Sequence, residues 1–544
     1  MTSLAQRWVA ALCLVTLAPT AFPAYADPPA DERSLSELQN TVINLLQALV
    51  DKGLLTREQA QQLVRQAQDK AAADAAAAAA AGRAAPGKEE ENAVRVPYVP
   101  QIVKDEISQQ VAAQVKPAVE ADLVKQNQMP PWLAHVSVFG DVQVRGQANW
   151  YPSGNSFQQI LNYNNVNAAG GVTKATYPYL DTTYNAYFLR IRARLGVQAT
   201  LTDTLRAYIR LASGSLTQIA GSASQTLGQY GNRYTIGIDQ AYLVWDSSTA
   251  DTLPIASILG GRIPNPWFSP TELEFARDLT FEGIAETTRL GWGEGDADAS
   301  HVYLTLGGFP MLMSPLQASE SKWLVGAQLG TNLRLNDGDD HLRFAAAFYD
   351  YFNVTGQLNA PYSTQLNFTA PAFVQNGNTM FNIANNPGDP TVQLWALAAH
   401  FRIADLTAQW EHRFDRYSMA VAAQAARNYG YNLTDIEALS GQSFSSPQNK
   451  GYVAELSFGD PVVDRFGAWR AAAGYRHVQA DAVLDAWTDA DFHEGGTNAT
   501  GYYLWYTLGL TYNTWLRLRY LSGNELTGPR YALDILQIDF LARF

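Results

Sequence analysis

The sequence predicts an all-β fold: a closed antiparallel transmembrane β-barrel of about 16 strands, with an N-terminal helical periplasmic extension. Two patterns from residue 136 onward predict the barrel, namely apolar side chains that alternate with polar ones and connections that alternate between short and long. A secretory leader at the start of the chain is the third observation. Strands with one apolar and one polar face need an apolar medium on one side and water on the other. A barrel closed within a membrane meets that need.

The composition of the chain agrees with this class. Of 544 residues, 47% are hydrophobic and only 16% are charged, and the net charge is −13. Soluble domains average about 25% charged residues, and a disordered acidic chain would carry still more with fewer aromatics. The negative balance argues against nucleic-acid binding, so we expect no nucleic acid partner. No apolar run of about 18 residues follows the leader, which excludes a helical membrane protein.

Residues 1–26 have the pattern of a secretory signal peptide. Arg7 supplies a positive start, an apolar stretch follows, and Ala24 and Ala26 are small residues at the cleavage positions. The only cysteine, Cys13, lies in this segment and follows Leu12, where a lipoprotein signal requires a small residue. We therefore expect export through this signal, residence in the cell outer membrane, and neither disulfides nor a lipid anchor.

Residues 27–132 predict a helical, Ala-rich periplasmic extension. Apolar residues recur at helical spacing over 34–50 and again over 107–123, with an Ala-rich stretch at 71–81 between them. Such helices suit a coiled coil that drives self-association, or a contact with peptidoglycan, and a flexible extension is the open alternative. The predicted domains are a signal peptide over 1–26, this extension over 27–132 and the barrel over 133–544.

Sixteen alternating segments make up the predicted barrel. They run over residues 136–150, 184–200, 204–213, 234–246, 255–263, 282–293, 301–309, 322–335, 341–353, 391–402, 404–414, 450–459, 467–479, 501–512, 514–521 and 531–544. Most reach the roughly 9–11 residues that a tilted strand needs to cross a bilayer. Connections after even-numbered segments are short and those after odd-numbered segments are mostly long. Short turns on one side and long loops on the other are typical of outer-membrane barrels, whereas a soluble sandwich has no reason to show them.

Three stretches of the chain resemble the Gram-negative family known as "putative porin". They are Gly261-Arg-Ile-Pro-Asn-Pro-Trp-Phe268 with Leu279-Thr-Phe-Glu-Gly283, Asp489-Ala-Asp-Phe-His-Glu-Gly-Gly-Thr-Asn498 with Gly501-Tyr502, and Lys52-Gly-Leu-Leu-Thr-Arg-Glu-Gln-Ala60. The terminal Phe544, which ends an alternating strand, resembles the signal that bacterial barrel-assembly machinery reads. This resemblance implies a pore without naming a solute. General porins are commonly trimers, so it also implies a homotrimer.

The predicted lumen carries opposed charges. A sixteen-strand barrel leaves an aqueous channel, whereas about eight strands fill with side chains. The polar faces of three adjacent strands predict a basic wall made of Arg145, Arg190, Arg192, Arg194, Arg206 and Arg210. The third long loop predicts an acidic partner for that wall, made of Glu272, Glu274, Asp278 and Glu282. By analogy with general porins, whose third loop folds into the lumen, we expect a constriction with a transverse field. Arginines paired for structure alone and an exposed acidic loop are the open alternatives.

Catalytic and metal-binding motifs are missing from the sequence. The seven histidines form no HExxH pair, and no G-x-S-x-G elbow or P-loop is present. We therefore expect no enzyme activity, no cofactor and no metal. The expected function is a porin through which small hydrophilic solutes or ions diffuse, in contact with outer-membrane lipid and lipopolysaccharide. The alternative is a barrel-anchored surface adhesin or structural outer-membrane protein without a conducting pore.

Overall fold

The computed structural model describes residues 133, 135–214, 224–248, 253–292, 299–314 and 320–544. Sixteen long strands within these residues form the wall of one barrel. They are β1 (Val136–Trp150), β2 (Ala186–Thr202), β3 (Leu205–Ser213), β4 (Ile236–Asp246), β5 (Ala256–Pro264), β6 (Thr280–Trp292), β7 (Ser300–Leu312), β8 (Lys322–Leu335), β9 (Asp340–Phe352), β10 (Arg402–Arg413), β11 (Ser418–Asn428), β12 (Lys450–Gly459), β13 (Trp469–Val478), β14 (Ala499–Thr511), β15 (Thr514–Glu525) and β16 (Ala532–Arg543).

Each wall strand pairs antiparallel with the next one along the chain, and β16 pairs with β1. Arg145 on β1 lies opposite Asp539 on β16, and the Gly140 N–H donates to the Phe544 carbonyl at 3.0 Å. Closure leaves no sheet edge, so the backbone groups of every wall strand are paired on both sides. The predicted closed antiparallel barrel of about 16 strands is confirmed.

The connections alternate in length as the sequence predicts. A two-residue turn at 512–513 joins β14 to β15, and Asn513 has φ of 63°, which asparagine tolerates in tight hairpin turns. The long loops lie at the opposite end and contain helices α1 (Tyr163–Ala169) and α2 (Leu433–Ser440). Shorter elements are the strands Ser224–Thr226, Met380–Asn382 and Trp395–Leu397 and the 3-10 helices Asn336–Gly338, Asn367–Thr369, Asp485–Trp487 and Phe492–Glu494.

Alternation along the strands separates an apolar outer face from a polar inner face. On β2, Leu189 and Leu195 are 52% and 48% exposed on the outside, and Arg192 and Arg194 face inward. Isolated soluble proteins rarely expose a continuous apolar band of this kind. The band matches the outward apolar surface, about 25 Å tall, of barrels that span a membrane.

One predicted strand is wrong and one strand was missed. Of the predicted segment 391–402, Trp395–Leu397 pairs with a short strand inside a loop, and Phe401 is buried there. Strand β11 instead lies in what the sequence predicted as a long loop. The missed strand places Ala420, Ala422 and Ala426 on its inner face and further alanines on its outer face, so the difference in polarity between the faces is small. The two errors cancel in the strand count.

The predicted signal peptide over 1–26 and the predicted extension over 27–132 lie outside the described residues. None of the helices in the described ranges has both the length and the apolar character that a membrane span requires.

Strand β11 provides a test of the wall. Ala423 lies at the middle of its outer face and Met419 lies near its end. Arginine on the lipid face costs about 2–4 kcal/mol at the bilayer midplane and about 0–1 kcal/mol near the interface. We therefore expect Ala423→Arg to lower the free energy of unfolding in lipid vesicles by about 2–4 kcal/mol, and Met419→Arg to change it little. Equal effects at the two depths would contradict the placement of β11.

Candidate functional site in the barrel lumen

The connection between β5 and β6, residues 265–279, is here named the lumen loop. The flanking strands are paired at Gly261 and Gly283, where φ is 124° and 141°. A Cβ at Gly261 would lie 2.3 Å from the Ala241 carbonyl oxygen, and one at Gly283 would lie 2.2 Å from that of Gly308. Only glycine combines this backbone geometry with so close an approach. The base of the loop therefore depends on these two glycines.

The lumen loop contacts inner faces on several sides of the barrel. Near its start, the Phe268 N–H donates to Gln328 Oε1 on β8 at 2.8 Å. Further along, the Thr271 hydroxyl donates to Gln424 on β11. Near its end, Asp278 forms ion pairs with arginines of β2. A segment that reaches β8, β11 and β2 passes through the interior of the barrel and narrows it.

Aromatic packing fixes the lumen loop in place. The Phe275 ring is 5.1 Å from both the Phe281 and the Tyr349 rings, measured between centroids. Trp267 packs edge-on against Tyr349 at 5.3 Å, and Trp487 from a later loop packs against Phe281 at 5.4 Å. All five side chains are buried. Large buried aromatic areas stabilise such a cluster, so the loop is anchored by packing as well as by charge.

Glu274 points into this apolar cluster. Its side chain is 0% exposed, and the Tyr351 hydroxyl donates to its Oε1 at 2.9 Å. Burial raises the pKa of Glu274 well above its ordinary value, and the charge of Asp405 raises it further. A side chain without solvent-accessible surface does not line a water-filled path. The structure therefore places Glu274 away from the predicted constriction.

Asp278 joins the lumen loop to the basic wall. Arg192 Nη1 is 3.0 Å from Asp278 Oδ2, and Arg194 Nη1 is 2.9 Å from Asp278 Oδ1. Asp141 on β1 also pairs with both arginines: its Oδ1 is 3.0 Å from Arg192 Nη2, and its Oδ2 is 2.6 Å from Arg194 Nε. Burial alone would raise the pKa of Asp278, but the Arg192 and Arg194 charges hold it below its ordinary value. Two arginines and two aspartates thus form a neutral clamp between the lumen loop and this part of the wall.

Arg145 belongs to a second network of charges. Its Nε is 2.6 Å from Asp539 Oδ1 on the neighbouring strand, and its Nη1 is 3.0 Å from Asp491 Oδ1 in the loop between β13 and β14. Arg519 on β15 also pairs with Asp491. Burial would raise the pKa of Asp491, yet the Arg145 and Arg519 guanidiniums hold it far below its usual range. This network ties a long loop to the wall.

The remaining predicted arginines divide into paired and unpaired ones. Arg206 pairs with Asp246, and Arg210 Nη2 is 2.6 Å from Asp239 Oδ2. Arg190 forms no ion pair with any described residue, and its Nε has no hydrogen-bond partner there. The predicted wall is therefore largely neutralised, with Arg190 as an exception.

The other predicted acids also have partners. Glu272 Oε1 is 3.6 Å from Arg277 Nη2 within the lumen loop. Burial and the nearby Asp489 charge raise the pKa of Glu272 above its ordinary value. Glu282, on β6, pairs with Arg262 on the neighbouring strand. Of the four predicted acids, only Asp278 joins the loop to the basic wall by an ion pair within the described part of the chain.

Several residues of the site were not predicted. Asp141 and Asp539 lie on the polar faces of alternating strands, so the sequence pattern predicts that their side chains point inward. The pattern does not predict which arginines they pair with. Arg277 lies between two predicted acids of the lumen loop. Asp491 lies in the long loop between β13 and β14, and no local signal in the sequence connects it to Arg145.

Comparison with known proteins gives a family match and structural neighbours. The sequence profile of the family described as "Putative porin" matches residues 39–544. Among solved structures, OprB of Pseudomonas putida at high pH is similar with a TM-score of 0.43 and 8% identity, over 78% of this chain and 96% of that one. The outer membrane channel DcaP of Acinetobacter baumannii is similar with a TM-score of 0.37 and 11% identity, over 76% and 98%. A loop-deletion mutant of OmpT from Vibrio cholerae has a TM-score of 0.38 and 10% identity, over 75% and 100%. Comparison with curated proteins gives no match.

A double-mutant cycle tests the clamp. We expect Arg194→Gln and Asp278→Asn to show a coupling of about 1–2 kcal/mol in the free energy of unfolding, because the pair is charge-assisted and only partly exposed. Either change should also increase fluctuations of the single-channel current, since it frees one end of the lumen loop. The matched control is Arg210→Gln with Asp239→Asn, a pair within the wall, which should leave the current steady. Equal fluctuations in both sets would refute the clamp.

Burial of Glu274 predicts a pH dependence of stability. Above about pH 4.3 the unfolded chain loses this proton, whereas the folded protein retains it up to its raised pKa. Folding therefore loses up to about 1.4 kcal/mol per pH unit across that interval. We expect Glu274→Gln, which keeps an acceptor for Tyr351, to make unfolding free energy fall less steeply from about pH 4.5 to 8. Glu282→Gln, at an exposed position, should leave the slope unchanged, and an unchanged slope in Glu274→Gln would contradict the burial.

Proposed function

The chain belongs to the "Putative porin" family, and from that premise we propose how its pore selects solutes. A family member with a closed sixteen-strand barrel is an outer-membrane porin, through which small hydrophilic solutes or ions diffuse. The lumen loop forms the constriction of the channel, and the open path beside this loop prefers anions.

Unpaired guanidiniums on the inner wall support the anion preference. Arg343 lies over the ring of Phe268 in the lumen loop, with its Cζ 5.9 Å from the ring centroid. Arg517 donates to the Thr507 hydroxyl at 3.0 Å. Neither of them, nor Arg190, forms an ion pair with a carboxylate in the described part of the chain. An ion pair has almost no net field a few ångströms away, whereas an unpaired cation retains its full charge. Each of these arginines therefore adds a positive charge to the inner wall that no ion pair within the described chain cancels.

The contacts of the lumen loop support its role as the constriction. It is held by the aromatic cluster on one side and by the clamp of Asp278 on the other. Because Asp278 contacts the wall directly, the open path does not run between Asp278 and Arg192. We place it on the sides where Arg190, Arg343 and Arg517 meet solvent.

We also propose roles for the rest of the protein. Residues 1–26 are removed as a signal peptide, and the mature chain has no enzyme activity. The apolar outer face contacts outer-membrane lipid and lipopolysaccharide, and three copies associate. The extension over 27–132 assists that association or contacts peptidoglycan.

Reversal potentials in planar bilayers with a salt gradient test the anion preference. We expect Arg343→Gln to lower the anion-to-cation permeability ratio roughly two- to fivefold, since one charge about 4 Å from an ion contributes about 1 kcal/mol in water. Glu274→Gln should leave the ratio unchanged, because that side chain is buried. A cation-selective wild-type channel, or equal ratios for wild type and Arg343→Gln, would refute the preference. Absence of any conductance would favour the adhesin alternative.

A further inference from the structure

A cavity of about 280 Å³ lies beside the lumen loop, at the end of the barrel that carries the long loops. Its lining comes from β5, β6, β7 and β8 and from the loops over 353–401 and 479–498. Arg262 and Glu282, which form an ion pair with each other, are part of that lining. Much of that lining is apolar, including Phe281, Phe373 and Trp487. The volume is near the lower limit of ligand sites in proteins, about 300 Å³. The space therefore suits a small molecule with an apolar body.

Lys322 supplies a buried cation to this cavity. Its side chain is 5% exposed, and its Nζ donates to the carbonyl oxygens of Thr369 at 3.0 Å and Ala370 at 2.7 Å. An ammonium has three N–H donors, so one is left. No carboxylate among the described residues forms an ion pair with Lys322. A buried charge without a counter-ion is unfavourable, and an anion in the cavity would relieve that.

Asp485 supplies an unpartnered polar atom on the same lining. The residue is 2% exposed, and its Oδ1 has no hydrogen-bond partner in the described chain. Buried polar atoms are nearly always hydrogen-bonded, so an orphaned one indicates a missing partner. Burial raises the pKa of Asp485 to about 7, so near neutral pH the group carries a proton in a large share of molecules and can donate it in a hydrogen bond.

We propose that this cavity binds a small organic anion with one carboxylate and an apolar, aromatic-sized body. The carboxylate accepts a hydrogen bond from the remaining N–H of Lys322, and Asp485 is a second polar group on the same lining. The body of the ligand packs against Phe281, Phe373 and Trp487. The inference rests on the proposed anion preference and narrows it from anions in general to amphipathic monocarboxylates, held at the loop end of the barrel before they reach the constriction.

Equilibrium binding to the full-length protein in detergent tests this site. The probes are phenylacetate, 2-phenylethanol and phenethylamine, which have similar size and carry a negative, no or a positive charge. By calorimetry we expect phenylacetate to bind wild type at least tenfold more tightly than either of the others. Lys322→Met should remove this preference. Lys174→Met, the same change at an exposed lysine of the loop between β1 and β2, should retain it.

A second variant guards against misfolding of Lys322→Met. Asp485→Asn keeps a hydrogen-bond donor and removes a negative charge, so it should bind phenylacetate at least as tightly as wild type. Weaker binding in that variant, equal binding of the three probes to wild type, or an undiminished preference in folded Lys322→Met would each overturn the inference. Calorimetry needs no conduction, so a barrel that binds phenylacetate but passes no current would refute the pore and leave the cavity site standing.

Discussion

Inside a bilayer every backbone N–H and carbonyl group must find its hydrogen-bond partner within the protein, and this constraint governs the whole molecule. It requires β16 to pair with β1, which fixes the antiparallel order of all sixteen wall strands. Because one face of each strand meets lipid and the other meets the lumen, apolar and polar side chains also alternate every two residues along the strand. Outward positions are apolar as a consequence, and nearly all the charge of the barrel domain is directed inward or to the loops.

That inward concentration of charge explains how the lumen is organised. Adjacent arginines on β2 repel one another, and the clamp with Asp141 and Asp278 removes the repulsion while it holds the lumen loop. The same principle joins Arg145 to Asp491 in a distant loop. The interior also contains an apolar cluster around Phe275, so the loops fill part of the lumen as a packed core does. The open path is what remains between wall and loops, and the paired charges along it cancel.

The sequence predicted the wall well because the wall depends on a local pattern. Strand β2 is predicted directly by its alternating apolar and polar residues. Strand β11 is not, because alanine is small enough to lie on either the lipid face or the lumen face. Segment 391–402 has apolar residues because they are buried inside a loop, and periodicity cannot separate that cause from contact with lipid. The site was predicted only in part. Asp278 was found because an acidic loop needs a basic partner, but Asp491 lies 346 residues from Arg145 and only the closed barrel brings them together. The burial of Glu274 follows from packing that no local pattern records.

Two different kinds of positive charge act on an anion in this barrel. Arg343 and Arg517 lie near aromatic rings on the inner wall, where their charges attract passing anions. Lys322 is buried among carbonyl groups and apolar rings, so only a ligand that gives up its own water can reach it. The wall arginines attract every anion through their electric field. Lys322 instead selects one class of anion by its shape and polarity. Phe268 of the lumen loop lies beneath Arg343, and Phe281 and Trp487 of the aromatic cluster line the cavity. The packing that fixes this loop therefore reaches both the wall arginine and the cavity.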